Sequence, residues 1–292
     1  MTAIQPLFTD LEPMPNASAD APIGIFDSGI GGLTVVKELM EMMPGEDLIY
    51  FGDTARTPYG SRPPVEIIGF RQQILDYFVT QKVKMAVVAC NTMTSLGLEM
   101  ARTKYPFTLV GMNTGVDMAL AVSKSRKVGV IATQATIASE NHKRVIHEKD
   151  ATVFIYPKAC PKLVPLIEKG QVEGTELELA IKEYLLPMKK LGVDAVILGC
   201  THYPFAISVI EQVMGDAIAI IDPAKETGRQ AQRILQQQEQ VSATNQGKVR
   251  LCFSADLERA KKMASLMFDT EKVDFELVDV EQFAFGAIDN KR

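Results

Sequence analysis

Short apolar runs alternate along the chain with longer stretches in which apolar residues recur at helical spacing. The runs Ile23–Phe26, Leu48–Phe51, Met85–Ala89, Thr108–Met112, Lys127–Ala132, Thr152–Tyr156, Asp194–Gly199 and Ala217–Ile221 predict buried strands. Between them, Thr34–Met43 sets Val35, Leu39 and Met42 on one face. Glu66–Gln81 does the same with Ile67, Phe70, Ile74 and Phe78, and Thr175–Lys190 follows the same pattern. Pro44 is a stop signal behind the first helix. Strands alternating with helices predict an α/β fold of parallel sheets covered on both faces.

Two segments echo one another. Met85–Thr92 aligns with Ala195–His202 when Cys90 and Cys200 are superposed, and Ile23–Phe26 resembles Val128–Ile131. Two related halves explain both echoes; so does the general likeness of buried strands. In the first case each cysteine ends a strand and precedes a helix, where open α/β sheets hold their ligands.

Composition narrows the picture. A chain of 292 residues buries a sizeable core. Its 47% hydrophobic and 23% charged residues are an ordinary globular balance, and no apolar run is long enough to span a bilayer. A formal net charge of −5 gives no basic footprint for nucleic acid. Residues 1–20 lack a basic start and a continuous apolar core, so they read as a flexible leader and not as a secretory signal. Cys90, Cys160, Cys200 and Cys252 are widely spaced, which favours free thiols in a reducing compartment, the cytoplasm.

The candidate chemistry sits at strand ends. Cys90 precedes a helical stretch, whose free N–H groups would lower the thiol pKa; a buried structural cysteine fits the same place. Asn91 and Thr92 can donate to a carboxylate held there. Cys200 is placed alike, with Pro204 suited to the first turn of the next helix and His202 close enough to share a proton. Cys-x-His is also half a metal site, but only three histidines and no finger-like spacing accompany it. Asp27-Ser-Gly-Ile-Gly-Gly is either a plain strand-to-helix turn or a glycine loop presenting N–H groups to an anion. Its spacing is not that of a dinucleotide fingerprint, and Asp27 would repel a phosphate but suit an ammonium. In Asp53–Gly60 the Asp53 and Arg56 side chains pair to hold a loop, from which Tyr59 can offer an O–H and Gly60 an N–H. Thr133 to Thr136 are a helix cap or a source of hydroxyls for a carboxylate.

Taken together, DSGIGGLTV (27–35), GDTARTPYG (52–60), ACNT (89–92), ACPKLVPLIEKG (159–170) and LGCTHYP (198–204) resemble the glutamate racemases, in that family's order and spacing. The likeness covers about residues 22–230. It implies two pseudo-symmetric parallel-sheet α/β domains with the active site in the cleft between them. A leader (1–20) would be followed by a first domain of 21–113 plus 223–292 and a second of 114–222. It implies that Cys90 and Cys200 are opposed acid/base thiols, that Asp27 assists the first, and that His202 with Glu168 assists the second. Ser28, Tyr59, Gly60, Asn91, Thr92, Thr133, Thr136 and Thr201, with Asp27 and His202, are implied as substrate contacts. The implied reaction interconverts L- and D-glutamate without metal or other cofactor and supplies D-glutamate for peptidoglycan. A homodimer and an activating cell-wall precursor complete the implied partners, with no nucleic acid and no membrane.

The related aspartate racemases carry a different glycine motif and an acidic residue where His202 stands, so DSGIGG and GCTHYP favour glutamate. The second thiol with its histidine argues against a one-thiol decarboxylase of the same superfamily. A non-catalytic amino-acid-binding module needs no two thiols at matched strand ends. Two departures from the family pattern, Met93 after ACNT and Gly111-Met-Asn-Thr-Gly-Val, are expected to lie near the pocket.

Overall fold

A computed structural model describes residues 18–283. The leader read over residues 1–20 therefore lies outside the described residues except at 18–20. The strands are β1 (Ile23–Asp27), β2 (Leu48–Gly52), β3 (Met85–Val88), β4 (Thr108–Gly111), β5 (Lys127–Ala132), β6 (Phe154–Ala159), β7 (Ala195–Gly199), β8 (Ala219–Ile221), β9 (Val249–Phe253) and β10 (Val273–Leu277). They form a six-stranded sheet, β10-β9-β2-β1-β3-β4, and a four-stranded sheet, β6-β5-β7-β8. Every pairing among the described residues is parallel. Two parallel-sheet α/β domains result. The order β2-β1-β3-β4 recurs as β6-β5-β7-β8, so the strands that echo in sequence, β3 with β7 and β1 with β5, hold matching places.

The central strands β1, β2, β3 and β7 are buried at every residue, as their unbroken apolar runs require. The run Thr152–Tyr156 is different. The strand there begins at Phe154 and is half exposed, because it forms the edge of the smaller sheet; Pro157 is tolerated at that edge. β9 and β10 are absent from the sequence reading. Val249-Arg-Leu-Cys-Phe and Val273-Asp-Phe-Glu-Leu mix polar with apolar positions, and they extend the larger sheet outward past β2. The helix over Thr175–Lys190 falls where the periodicity sets it, and the first two helices, Leu33–Met42 and Pro64–Thr80, are shifted by one or two residues.

The chain passes from the larger sheet to the smaller after β4 and returns after β8. The two passages touch: Gly115 adopts φ +71°, and a Cβ there would lie 3.2 Å from Pro223. The Asn113 N–H donates to Thr227 Oγ1 at 2.9 Å. The unusual stretch Gly111–Val116 thus builds this double crossing and does not line the cavity described below. The Met93 side chain is likewise core, packed with Phe26, Leu75 and Leu98. One apolar cluster runs from Ile23, Leu33 and Tyr50 to Leu163, Leu198 and Tyr203, so the two halves share buried packing. No helix among the described residues is long and apolar enough to cross a membrane.

Candidate active site

The carboxyl ends of β1, β3 and β7 converge on a cavity of about 150 Å³. That is space for a small molecule. Cys90 follows β3 and caps the short helix Asn91–Ser95 with extended backbone, φ −143° and ψ 115°. Cys200 follows β7 at the matched place, and Pro204 opens the helical turn Tyr203–Ala206 behind it. Both thiols line the cavity and both are nearly fully buried.

Each thiol has its own titratable companion. Beside Cys90 lies Asp27, fully buried at the end of β1. Its carboxylate accepts from the N–H groups of Ser28 and Gly32, both at 2.6 Å, and from the Thr201 hydroxyl of the other half at 3.0 Å. The Cys90 thiol donates to Ser28 Oγ at 3.8 Å. Beside Cys200 lies His202, whose Nδ1 is 3.9 Å from Cys200 Sγ and whose Nε2 is 2.6 Å from Glu168 Oε1. Glu168 closes the helix Leu163–Glu168 and also accepts from the Ile30 N–H at 3.2 Å.

Burial and neighbouring charge shift several of these groups. Burial foremost, and then the charge of Asp27, push the Cys90 thiol well above its ordinary range. The lowered thiol expected from a helix N-terminus is therefore corrected: the following helix has five residues, and the one Met93 N–H that favours thiolate is outweighed. Burial raises the Asp27 carboxyl too, against the nearby His202 and the donors of Cys90, Ser28 and Thr201. At His202 burial opposes the charged form, yet the bonds to Cys200 and Glu168 hold the imidazole well above its usual value. Burial alone would raise Glu168, and the His202 bond and charge, the Ile30 N–H and Arg259 bring it below the carboxylate range.

The glycine loop works differently from an anion cradle. Three of its N–H groups are taken by the protein's own carboxylates, those of Ser28 and Gly32 by Asp27 and that of Ile30 by Glu168. None of its glycines has positive φ. They are needed for close approach instead: a Cβ at Gly31 would fall 2.5 Å from Thr201 Oγ1, 2.6 Å from His202 Nδ1 and 2.7 Å from Asp27 Oδ2.

Of the expected contact residues, Ser28, Tyr59, Gly60, Asn91, Thr92, Thr133, Thr201 and His202 line the cavity. Asp27, Glu168 and Thr136 stand behind the lining. Thr136 bonds to Thr92 at 3.4 Å and to Thr133 at 3.0 Å, and Thr133 also caps the helix Gln134–Ala138. Asn91 Nδ2 is buried without a partner among the described residues, a donor free for a ligand carboxylate. The Tyr59 O–H is not free, since it donates to Asp53, which also pairs with Arg56 at 2.6 Å. Pro58, Ser61, Gln134, Cys160, Pro161, Val164 and Pro165 complete the wall and were not foreseen. The signal for four of them lay in ACPKLVPLIEKG, from which only Glu168 had been drawn.

The sequence and the fold both have counterparts among known proteins. The Asp/Glu/Hydantoin racemase family matches residues 24–231. The chain belongs to this racemase family. It is therefore an isomerase. A glutamate racemase of Thermoanaerobacter sp. (strain X514) is 40% identical over 264 residues, covering 90% of this chain and 98% of the relative. The solved glutamate racemase RacE1 of Bacillus anthracis superposes with TM-score 0.82 at 32% identity, covering 89% of this chain and 97% of that one. The Francisella tularensis glutamate racemase in complex with D-glutamate gives TM-score 0.81 at 33% identity, covering 90% and 99%. The racemase fold seen in these structures is that of the two sheets described above.

Proposed function

We propose that the chain interconverts L- and D-glutamate by two-thiol proton transfer at Cα. The carrying observation is that Cys90 and Cys200 end matched strands of the two halves and line one cavity, each with a different buried proton partner. One sulfur takes the α-proton as the Cα–H bond breaks, and its electron pair moves toward the α-carboxylate. The other sulfur delivers its proton to the opposite face of Cα. The pair flows back, and the thiol and thiolate have exchanged places. Asp27 and Ser28 serve Cys90. His202, held by Glu168, serves Cys200 and carries a positive charge. Asn91, Thr92, Thr133 and Thr201 supply donors for substrate carboxylates.

Glutamate is supported by the relatives, including the Francisella tularensis enzyme whose structure holds D-glutamate. The cleft lies between a first domain of 21–113 plus 223–292 and a second of 114–222, a division supported by sheet membership. Supply of D-glutamate for peptidoglycan in the cytoplasm, a homodimer and activation by a cell-wall precursor follow from family resemblance and belong to the same proposal.

The test is a circular-dichroism assay with both enantiomers of glutamate and of aspartate. Cys90→Ala and Cys200→Ala should each lower racemisation by about 10²–10⁴-fold or more with the fold retained. Solvent deuterium should enter Cα in the wild type. Full activity in either variant ends the two-thiol reading. Faster turnover of aspartate moves the chain to its sister racemases, and glutamate binding without loss of optical rotation makes it a binding module.

A further inference from the structure

The Glu168–His202 pair has a third member that lies outside the matched family region. Arg259 stands on the helix Leu257–Ala264, between β9 and β10 of the larger sheet, whereas Glu168 and His202 belong to the half built on the smaller one. Its guanidinium Nη2 lies 3.7 Å from Glu168 Oε2. That oxygen is buried and has no hydrogen-bond partner among the described residues, and the Arg259 Nε is buried and unpartnered as well, although Asp256 Oδ2 is 3.1 Å away. A buried carboxylate oxygen without a hydrogen-bond partner thus faces a guanidinium across the junction of the halves. The other oxygen of the same carboxylate binds His202 Nε2 and the Ile30 N–H.

We propose that Arg259 is a positioning residue for the racemase reaction: it holds the Glu168 carboxylate from the opposite half, so that His202 is oriented and charged for Cys200 only when the two halves are closed on each other. The Ile30 N–H and Arg259 both reach Glu168 from the larger sheet's half. If the halves part, Glu168 keeps His202 alone and gains water. The inference rests on the two-thiol reading, because it assigns Arg259 a role only through the Cys200 side.

Several charged groups surround the pair. Cys200 and Asp27 face His202; Arg259 and the Tyr50 ring face Glu168, and Asp256 competes for Arg259. An opposite charge within about 4–6 Å lowers a carboxyl pKa by up to 1–3 units. Arg259 is 28% exposed, so its share is smaller. Glu168 must be ionised to hold a charged His202. Removing Arg259 should let Glu168 take up its proton at higher pH, which moves the acid limb of kcat/KM upward.

The experiment is the pH profile of kcat/KM for Arg259→Gln, Arg259→Lys and the double variant with Glu168→Gln. Arg259→Gln should lose about tenfold at neutral pH, with its acid limb raised by about half a unit. Arg259→Lys, which keeps the charge, should recover most of both. In the Glu168→Gln background, Arg259→Gln should cost less than about twofold more, since its target is gone. An acid limb unmoved in Arg259→Gln overturns the inference, and so do effects that multiply in the double variant, because Arg259 then only braces the fold. Should the glutamine variant not fold, Arg259→Met serves the same cycle: its loss should vanish beside Glu168→Gln, and a loss that persists there overturns the inference. Racemisation abolished by Cys200→Ala alongside either negative result shows that the two-thiol reading stands and only this inference falls.

Discussion

Gly31 has no room for even one methyl group, because Asp27, Thr201 and His202 close around it from both halves. Those three atoms belong to the hydrogen-bonded clusters beside Cys90 and Cys200, so a side chain here cannot be absorbed by a passive neighbour. Gly31→Ala should lower kcat by about 10²-fold or more, as a displacement of about 1 Å can. It should cost about 1–3 kcal/mol of stability from overpacking. Chemical denaturation beside the racemisation assay reads both. An activity loss no larger than the stability loss explains would show that the loop is merely tight. At this scale the sequence made the two cysteines legible, since a strand end before a helix is a local pattern. It did not make their companions legible. The Thr201 hydroxyl reaches Asp27 across 174 positions, and the Ile30 N–H reaches Glu168 across 138. No local pattern carries contacts of that separation, and Glu168 entered only through family resemblance.

The helix Asn141–Lys149 shows what an element does to a side chain. Its His142 is buried and lines a small cavity with Val130, Ile137 and Ile155, and its Nε2 has no partner among the described residues. Burial lowers its pKa from 6.5 to about 4. Below pH 6.5 the unfolded chain takes this proton and the folded chain does not until about pH 4. Stability should therefore fall as pH drops through that window, by about 3 kcal/mol for this group. His142→Met should remove that part of the slope in urea melts taken between pH 7 and pH 4. An unchanged slope would place the titration elsewhere. Element identity was legible where burial was uniform, as in β1, β3 and β7, because an unbroken apolar run permits little else. It missed β9 and β10 and set β6 two to three residues early. The edge strands β6 and β10 are half exposed, so their residue pattern follows solvent as much as pairing.

On the scale of the whole molecule, one buried ion pair ties distant parts of the chain together. Lys84, just before β3, reaches Glu46 at 2.5 Å, with both side chains 2% exposed or less. Its ammonium also donates to the carbonyls of Ala19 and Gln240, and Glu46 accepts from the Ser242 N–H at 2.8 Å. Lys84→Met leaves Glu46 buried and uncompensated, which should cost about 3–5 kcal/mol. Turnover at low temperature should persist, because none of these groups lines the cavity. A loss below about 1 kcal/mol in denaturant titration would show that water replaces the ammonium. What the sequence by itself determined is the material of this protein: an α/β chain, two thiols at matched strand ends, a glycine loop and a family. Those follow from periodicity and short motifs, which act over a few residues. Only the tertiary structure decided that β9 and β10 complete the first sheet, that Cys90 is held as a high-pKa thiol, and that the glycines exist for closeness and not for turning. It also placed an arginine from beyond the family match against Glu168. Each of these depends on burial and on groups brought together from both halves, and desolvation and charge are set by what surrounds a side chain in space.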